Sequence, residues 1–280
     1  MYTINECPYG SRLVGTLYRN DKEYKIYLVD AKNPVRLPFF NVNAVIKYLE
    51  RMTMDKIYLG DCMEVMERLE DHSIDLVLTD VPYIQEFHDR GFSGKRPNYK
   101  KIAEYGSNKE LDYTEFFELC LRKMKKVNFF TFCDKETKFE FIRMAKEKGF
   151  GYREIPFCKT SPTPFVNSQW LPDVEWGLHI FKDIEVMGDY RTKRGWSTVN
   201  NLKEEGINHP TPKKVSEVER ILLNISKEGD LVLDPFSGSG TTLIACYNQK
   251  RHYIGIEKDE TYYNDSWIRL EQHRQQLSLF

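Results

Sequence analysis

The sequence predicts an α/β fold, in which a doubly wound and mostly parallel β-sheet carries helices on both faces. From residue 54 onward, short apolar runs of strand length alternate with segments whose apolar residues recur at helical spacing. Repeated strand–helix units favour a parallel sheet, because each helix returns the chain to the same edge. Ligands of such sheets bind beyond the carboxyl ends of the strands, so candidate functional residues are sought there.

Two regions are expected along the chain. Residues 1–53 form a small β-rich N-terminal appendage of unassigned role, with a hairpin of segments 12–19 and 24–30 and a short helix near 41–50. Residues 54–280 form the main domain. Its predicted strands lie at 57–59, 74–79, 127–133, 153–158, 174–181, 231–233 and 252–257. Its predicted helices lie at 63–69, 116–124, 136–148 and 214–226, after the turn at 234–240, and at the end of the sequence.

The composition indicates a soluble, cytoplasmic enzyme. The 280 residues include 41 Lys and Arg against 42 Asp and Glu, a formal net charge of −1, which excludes a globally basic nucleic-acid coat but not a local basic patch. No apolar run approaches the roughly 18 residues of a membrane-spanning helix, and the first residues lack a signal-peptide pattern. The six cysteines are scattered without CxxC pairs, which predicts reduced thiols and neither a disulfide framework nor a zinc site.

A glycine-rich loop follows the strand at 231–233 and reads Asp-Pro-Phe-Ser-Gly-Ser-Gly-Thr-Thr over residues 234–242. Its glycines permit a tight turn that brings backbone N–H groups to a ligand at the N-terminus of the next helix. No GK(S/T) follows, so the loop is not a P-loop. Leu243 replaces the third glycine of the dinucleotide fingerprint, which argues against a pyrophosphate. The loop alone is equally consistent with a plain glycine-rich turn.

Glu257 ends the strand that follows this loop. An acidic side chain at that place can accept hydrogen bonds from both hydroxyl groups of a ribose. Alone it is a solvated strand-end charge, but beside the glycine-rich loop it favours a nucleoside-containing cofactor.

The strand at 74–79 ends in the segment Asp80-Val81-Pro82-Tyr83. Asp80 and the carbonyl of Val81 can accept hydrogen bonds from the amine of a planar ring, and Tyr83 offers a stacking surface. An Asp-x-Pro turn with a half-buried tyrosine is the alternative interpretation of this segment by itself.

Together these motifs resemble those of the amino-group DNA methyltransferases, which use S-adenosylmethionine to modify adenine N6 or cytosine N4. Asp80, Pro82 and Tyr83 match the catalytic signature (D/N/S)PP(Y/F/W), and residues 234–242 match the cofactor motif DPFxGxGTT in full. The catalytic motif precedes the cofactor motif, as in the β class of that family. The resemblance covers about residues 56–270, and it implies a Rossmann-like methyltransferase fold.

Two further segments support this resemblance. Leu59-Gly60-Asp61-Cys62 is similar to the family's lead-in to the catalytic strand, and residues 208–214 resemble the cofactor segment HPTxKP. The sequence departs from the family pattern at Val81, which replaces the first proline of the catalytic motif, and at Lys214, which replaces the last proline of HPTxKP. Valine keeps the carbonyl acceptor but loses the preset φ of proline, and we expect activity to survive.

The resemblance implies a role for each matching residue. Asp61 would contact the adenine of the cofactor, Glu257 its ribose, and the 236–242 loop its methionine part. His209, Thr211 and Lys213 would lie near the methionine carboxylate. The implied catalytic residues are Asp80, Val81, Pro82 and Tyr83. The implied cofactor-binding residues are Asp61, His209, Thr211, Lys213, Asp234, Phe236, Ser237, Gly238, Ser239, Gly240, Thr241, Thr242 and Glu257, and no metal is expected.

Two stretches without regular periodicity are predicted to contact DNA. A base in a duplex must be flipped out before its amine can enter a pocket. Residues 84–112 are a candidate DNA-contacting loop, in which 84–101 has a local positive excess with interleaved aromatic residues, and 182–208 is a candidate target-recognition region. The basic residues singled out are Arg90, Lys95, Arg96, Lys100 and Lys101 in the first stretch, and Arg191, Lys193 and Arg194 in the second. A solvated connector and a surface charge run are the respective alternatives.

The resemblance therefore implies a site-specific DNA methyltransferase. Asp80 favours adenine N6 over cytosine N4, because family members with Asp mostly modify adenine. Cytosine C5 is excluded as the target, since no Pro-Cys dipeptide occurs. Methylation of RNA or of a protein glutamine, and a degenerate DNA-binding relative supported by Val81, are the competing hypotheses. A homodimer and a separate restriction endonuclease partner remain open.

Overall fold

The computed structural model describes residues 14–20, 23–29, 34–37, 54–82, 111–160, 171, 173–200 and 213–278. The chain divides into two compact units, Met1–Met54 and Asp55–Phe280. The expected helix near 41–50 lies outside the described residues. Among the described residues, no helix has the length and apolar content needed to cross a membrane.

The first unit contains a three-stranded antiparallel sheet. Strand β1 (Val14–Asn20) pairs with β2 (Glu23–Val29) so that Val14 faces Val29, and β2 pairs with β3 (Pro34–Leu37). The hairpin expected from segments 12–19 and 24–30 is therefore confirmed.

The second unit is built on an eight-stranded sheet of order β4-β11-β10-β5-β6-β8-β7-β9. Strand β8 is antiparallel to both of its neighbours, and every other pair of neighbours in this sheet is parallel. The strands are β4 (Lys56–Leu59), β5 (Leu76–Asp80), β6 (Asn128–Cys133), β7 (Gly151–Lys159), β8 (Val174–Phe181), β9 (Ser197–Val199), β10 (Leu231–Asp234) and β11 (His252–Glu257). The predicted mostly parallel sheet is confirmed, and β9 is a strand that the sequence pattern missed.

Helices cover both faces of this sheet, as predicted. Their bounds are α1 (Cys62–Glu67), α2 (Tyr113–Lys123), α3 (Lys135–Glu147), α4 (Val215–Ile225), α5 (Thr241–Asn248) and α6 (Glu260–Ser278). One apolar cluster contains buried residues of α1, α2 and α3, and a second contains those of α4, α5 and α6. The sheet therefore lies between two helical layers, each with its own core.

Local sequence explains where these helices begin and end. Asp112 and Asp134 precede α2 and α3, and each accepts a hydrogen bond from a backbone N–H of the first turn, at 2.8 Å from Thr114 and 2.9 Å from Thr137. Gly149 follows α3 with a φ of +70°, which is the left-handed conformation that ends many helices. The apolar residues of α4 lie on one buried side, as their spacing predicts.

A buried contact connects the carboxyl ends of β5 and β10. The Thr79 hydroxyl donates a 2.8 Å hydrogen bond to Oδ1 of Asp234, whose side chain is 3% exposed and also accepts from the backbone N–H of Phe236. Burial raises the pKa of Asp234 to about 6, although these hydrogen bonds work in the opposite direction. The hydrogen bond thus holds the two strand ends side by side. It does so at a cost in free energy, because the carboxylate of Asp234 is buried.

This cost predicts a pH dependence of stability. The folded protein binds a proton at Asp234 more tightly than the unfolded chain does, so the associated stability is lost as pH rises through about 6. The free energy of unfolding of the wild type, relative to Asp234→Asn, should increase by about 1 kcal/mol between about pH 7 and about pH 5. Urea unfolding of both proteins across this range measures the difference. A difference that stays constant with pH would contradict this account of Asp234.

Candidate active site

The segment around Asp80 leaves the sheet at the centre of its carboxyl edge. Asp80 is the last residue of β5, and it pairs with Phe132 of β6 in the parallel ladder. The side chain of Val81 is 1% exposed and belongs to the core shared with α1, α2 and α3. The carbonyl of Pro82 accepts a hydrogen bond from the Tyr113 hydroxyl of α2. Packing on one side and this hydrogen bond on the other therefore hold the backbone that follows Asp80.

The glycine-rich loop leaves the neighbouring strand β10. Ser237 donates its backbone N–H to the carbonyl of Ile256 at 2.9 Å, and the N–H of Gly240 binds the carbonyl of Ser237 at 2.8 Å. Gly238 and Gly240 have φ values of +48° and +76°. Glycine is needed at both because side chains disfavour this conformation, and a Cβ at Gly240 would also lie 3.0 Å from Cβ of Ser266. The loop then turns directly into α5, so the N-terminus of that helix faces the carboxyl edge.

A side chain of the predicted last helix, Arg269 of α6, supports the loop through a contact that sequence reasoning missed. The guanidinium of Arg269 donates to the carbonyl of Ser239 and to the hydroxyl of Thr241, both at 3.0 Å. Phe236 packs on the opposite side, with its ring 5.4 Å from the ring of Phe116. Ser237, Ser239, Thr241 and Thr242 are buried. Their side chains lie largely within the protein, and the backbone N–H groups of residues 236, 237, 238 and 240 are hydrogen-bonded within the protein, which fixes the shape of the loop.

Glu257 ends β11 and faces the glycine-rich loop, as its predicted role requires. One carboxylate oxygen accepts the N–H of Gly238 and the other accepts the N–H of Asp259, both at 2.8 Å. Burial raises the pKa of this carboxyl group above its ordinary value, while the two N–H groups favour the ionised form. An ionised carboxylate has further lone pairs on each oxygen, so it can also accept hydrogen bonds from a ribose.

Asp61 lies at the carboxyl end of β4, next to β11. It caps α1 by accepting a 2.9 Å hydrogen bond from the N–H of Met63, and Lys258 lies 3.8 Å from its second oxygen. The carboxyl ends of β4, β11, β10 and β5 are consecutive along the sheet edge. The structure therefore brings Asp61, Glu257, the glycine-rich loop and Asp80 onto one edge in that order.

Lys213 lies between the glycine-rich loop and Asp80, and its backbone carbonyl accepts a 3.4 Å hydrogen bond from the Thr241 hydroxyl. Its ammonium lies 2.9 Å from Oδ2 of Asp80 and also contacts Glu175 of β8. Burial disfavours its charge, but the two carboxylates outweigh burial and raise the pKa of Lys213. Sequence reasoning missed Glu175, because its position at the catalytic edge depends on β8 running against its neighbours.

Several predicted site residues lie outside the described part of the chain. These are Tyr83, His209 and Thr211, and the basic residues Arg90, Lys95, Arg96, Lys100 and Lys101. The second basic group is described: Arg191, Lys193 and Arg194 are exposed on a turn beside α4. Arg220 of α4 donates to the carbonyls of Thr192 and Arg194 at 3.2 and 3.0 Å. This turn packs on the side of α4, and the described contacts do not bring it to Asp80.

The donor set at this edge fits a nucleoside-containing cofactor. Glu257 could accept hydrogen bonds from a ribose, and beside it α5 presents an N-terminus that has no side-chain cap. Among the described residues, no group of His, Cys, Asp and Glu could hold a metal ion.

Comparisons with known proteins agree with this site. The family model described as DNA methylase, N6_N4_Mtase, matches residues 74–267, which is more than half of the chain. The type II methyltransferase M.BamHI of Bacillus amyloliquefaciens is 23% identical, over 86% of this chain and 63% of its own length. The chain therefore spans less than two thirds of that relative.

Solved structures show the same fold. The M1.HpyAVI–SAM complex has a TM-score of 0.57 at 24% identity, over 77% of this chain and all of that one. The cytosine-N4-specific PvuII DNA methyltransferase has a TM-score of 0.59 at 20% identity, over 78% of this chain and 89% of that one. The Rossmann-like methyltransferase fold and the amino-methyltransferase resemblance are thereby confirmed. The chain belongs to the N6/N4 DNA methylase family.

Proposed function

We propose that this protein is a site-specific DNA methyltransferase that transfers a methyl group from S-adenosylmethionine to the exocyclic N6 of an adenine flipped out of duplex DNA. The observation that carries the proposal is the position of Asp80 at the end of β5, directly beside the strand that bears the glycine-rich loop. The 2.8 Å hydrogen bond between Thr79 and Asp234 keeps these two strand ends together.

The cofactor is S-adenosylmethionine, which supplies an electrophilic methyl group on a sulfonium. Glu257 binds the ribose hydroxyls, and Asp61 lies at the next strand end to receive the adenine. The loop at 236–240 holds the methionine part with its backbone, while Asp234 contributes indirectly by holding the loop against β5. The family resemblance implies these assignments, and the order of the strand ends along the edge supports them.

Asp80 acts on the amine of the flipped base. An exocyclic amine is a poor nucleophile because its lone pair is delocalised into the ring. The carboxylate of Asp80 and the carbonyl of Val81 accept its hydrogens, which favours a pyramidal nitrogen with its lone pair directed at the methyl group. The methyl C–S bond would break as the N–C bond forms, leaving its electron pair on sulfur, and the extra proton would pass from the nitrogen to water after transfer. Asp80 therefore needs to orient the amine and stabilise its positive charge, and it need not be a strong base.

The burial of Val81 supports an active enzyme over a degenerate relative. Its side chain fills a position in the core, so the backbone of the catalytic segment is held by packing where relatives use proline. The same segment with Asn at position 80 would favour a protein amide as substrate, and Asp80 favours a base.

DNA is the proposed macromolecular substrate. The stretch at 84–112 adjoins Asp80 in sequence and supplies phosphate contacts through its basic residues. Arg191, Lys193 and Arg194 form a second, more peripheral contact, held by α4 through Arg220. A separate restriction endonuclease partner and a homodimer are both compatible with the proposal.

Cytosine N4 is the second candidate target. The PvuII enzyme, one of the similar structures, is specific for cytosine N4. Asp80 is the residue that favours adenine, because family members that modify cytosine mostly carry Ser at this position.

The function is tested by identifying the methylated base. The protein is incubated with S-adenosylmethionine and unmethylated DNA, the DNA is digested to nucleosides, and the products are analysed by mass spectrometry. N6-methyladenine is the expected product. N4-methylcytosine would correct the base, and the lack of any methylated base on DNA of varied sequence would refute the proposal.

Replacing Asp80 should stop the chemistry and spare the cofactor. Asp80→Ala removes the acceptor for the amine, so methyl transfer should fall by about a hundredfold or more. The dissociation constant for S-adenosylmethionine, measured by calorimetry, should stay within a few-fold of the wild-type value. Glu140→Ala, an exposed carboxylate on α3, is the matched control. Near-normal turnover by the Asp80 variant would contradict its assignment.

Replacing Glu257 should have the opposite effect. Glu257→Ala removes the ribose acceptor and leaves the N–H groups of Gly238 and Asp259 without their partner. Cofactor affinity should fall by about tenfold or more, since a hydrogen bond to a charged group contributes about 1.5–3 kcal/mol. Calorimetry measures this loss, again with Glu140→Ala as the control. Unchanged affinity would remove Glu257 from the cofactor site.

A further inference from the structure

One cation and two carboxylates form a cluster over the carboxyl edge, composed of Lys213, Asp80 and Glu175. The Lys213 ammonium contacts both carboxylates, at 2.9 Å in the case of Asp80, and lies 4.9 Å from the ring centroid of Phe132. Asp80 ends β5, Phe132 is its ladder partner on β6, and Glu175 lies at the start of β8. A single ammonium therefore connects three neighbouring strands.

The cluster is largely withdrawn from water. The side chains of Lys213, Glu175 and Asp80 are 15%, 24% and 29% exposed. Charges in such a setting interact more strongly than on an open surface, because solvent screening is weaker. The carboxylates raise the pKa of Lys213 despite its burial, so the side chain stays an ammonium and does not accept a proton during the reaction.

We propose that Glu175 is a positioning residue for methyl transfer, which acts on Asp80 through Lys213. The flexible side chain of a lysine does not by itself fix the position of its ammonium group. Two carboxylates, on the strands β5 and β8 that flank β6, restrict the position of the Lys213 ammonium. Confining Lys213 fixes the carboxylate of Asp80 in the orientation that the amine requires. The inference rests on the proposed function, since it takes Asp80 to be the group that binds the amine.

Lys213 and Glu175 have opposite electrostatic effects on Asp80. Without the ammonium, Asp80 and Glu175 would repel each other and Asp80 would ionise only at higher pH. Without the charge of Glu175, the ammonium would act more strongly on Asp80, and Asp80 would ionise at lower pH while accepting less readily from the amine. Opposite shifts would show that both charges act on Asp80, and a fall in kcat at unchanged KM would show that Glu175 positions it.

Other titratable groups near Asp80 stay the same in this comparison. Asp234 of β10 and Cys133 of β6 both interact electrostatically with Asp80. Burial raises the pKa of the Cys133 thiol, which therefore remains neutral. Variants of Lys213 and Glu175 leave both of these groups unchanged. A difference between such variants in the ionisation of Asp80 therefore reports on Lys213 and Glu175.

The kinetic test uses Glu175→Gln, Lys213→Gln and the matched control Glu140→Gln in the full chain. In Glu175→Gln, kcat should fall by about tenfold or more while KM for S-adenosylmethionine changes by less than about twofold. The acid limb of the kcat–pH profile should move to lower pH in Glu175→Gln and to higher pH in Lys213→Gln. Lys213→Arg, which keeps the charge, should bring that limb back toward the wild-type position. Wild-type kcat in Glu175→Gln would overturn the proposal.

A titration that needs no turnover separates this proposal from the proposed function. The ¹³C carboxyl resonance of Asp80, assigned by its loss in Asp80→Asn, should titrate about one pH unit higher in Lys213→Gln and lower in Glu175→Gln. Equal midpoints in all variants would overturn the coupling, even if DNA is methylated. A wild-type protein that methylates no DNA would instead refute the proposed function, while the titration still decides whether Glu175 acts on Asp80.

Discussion

The adjacency of β5 and β10 is the constraint on which the site depends. Thr79 and Asp234 are 155 residues apart in sequence, yet a 2.8 Å buried hydrogen bond joins them at neighbouring strand ends. The parallel pairing of β5 with β10 places Asp80, the last residue of β5, beside the loop that follows β10. Any displacement of one strand against the other would separate the Asp80 segment from the cofactor loop.

This constraint carries an energetic cost that its surroundings reduce. A carboxyl group at 3% exposure resists ionisation, and Asp234 is satisfied by Thr79 and by the N–H of Phe236. The same N–H begins the glycine-rich loop, so one side chain holds both the neighbouring strand and the first turn of the loop. Arg269 then supports the far end of that loop from α6. The loop can therefore present its backbone in a fixed shape before any ligand arrives.

Local patterns in the sequence were sufficient to predict most of the fold. Apolar runs and helical spacing predict elements within a few residues, because burial on two faces imposes those periods on each segment independently. Asp80, Glu257 and the glycine-rich loop were also predicted, since each lies in a short contiguous motif. The direction of β8 could not be predicted, because nothing within residues 174–181 distinguishes a parallel from an antiparallel partner.

Contacts between distant segments account for what was missed. Glu175 reaches the catalytic edge only because β8 is antiparallel, and the contact of Lys213 with Asp80 is not predictable from the motif around Lys213. Val81 departs from the family motif, yet its 1% exposure shows why valine suits this position: the core, and not a proline ring, holds the backbone. These contacts arise from tertiary packing, so they cannot be predicted from the local sequence.

The central claim is that Asp80 receives the amine of a flipped base while the cofactor lies along the neighbouring strand ends. A crystal structure of the protein with S-adenosylhomocysteine and a DNA duplex that it methylates tests this claim most directly. The account predicts that the exocyclic amine lies within about 3 Å of the Asp80 carboxylate. It also predicts that the cofactor ribose is bound by Glu257 and that the cofactor sulfur lies on the side of the amine away from Asp80. A base bound with its amine away from Asp80, or a cofactor at other strand ends, would contradict it.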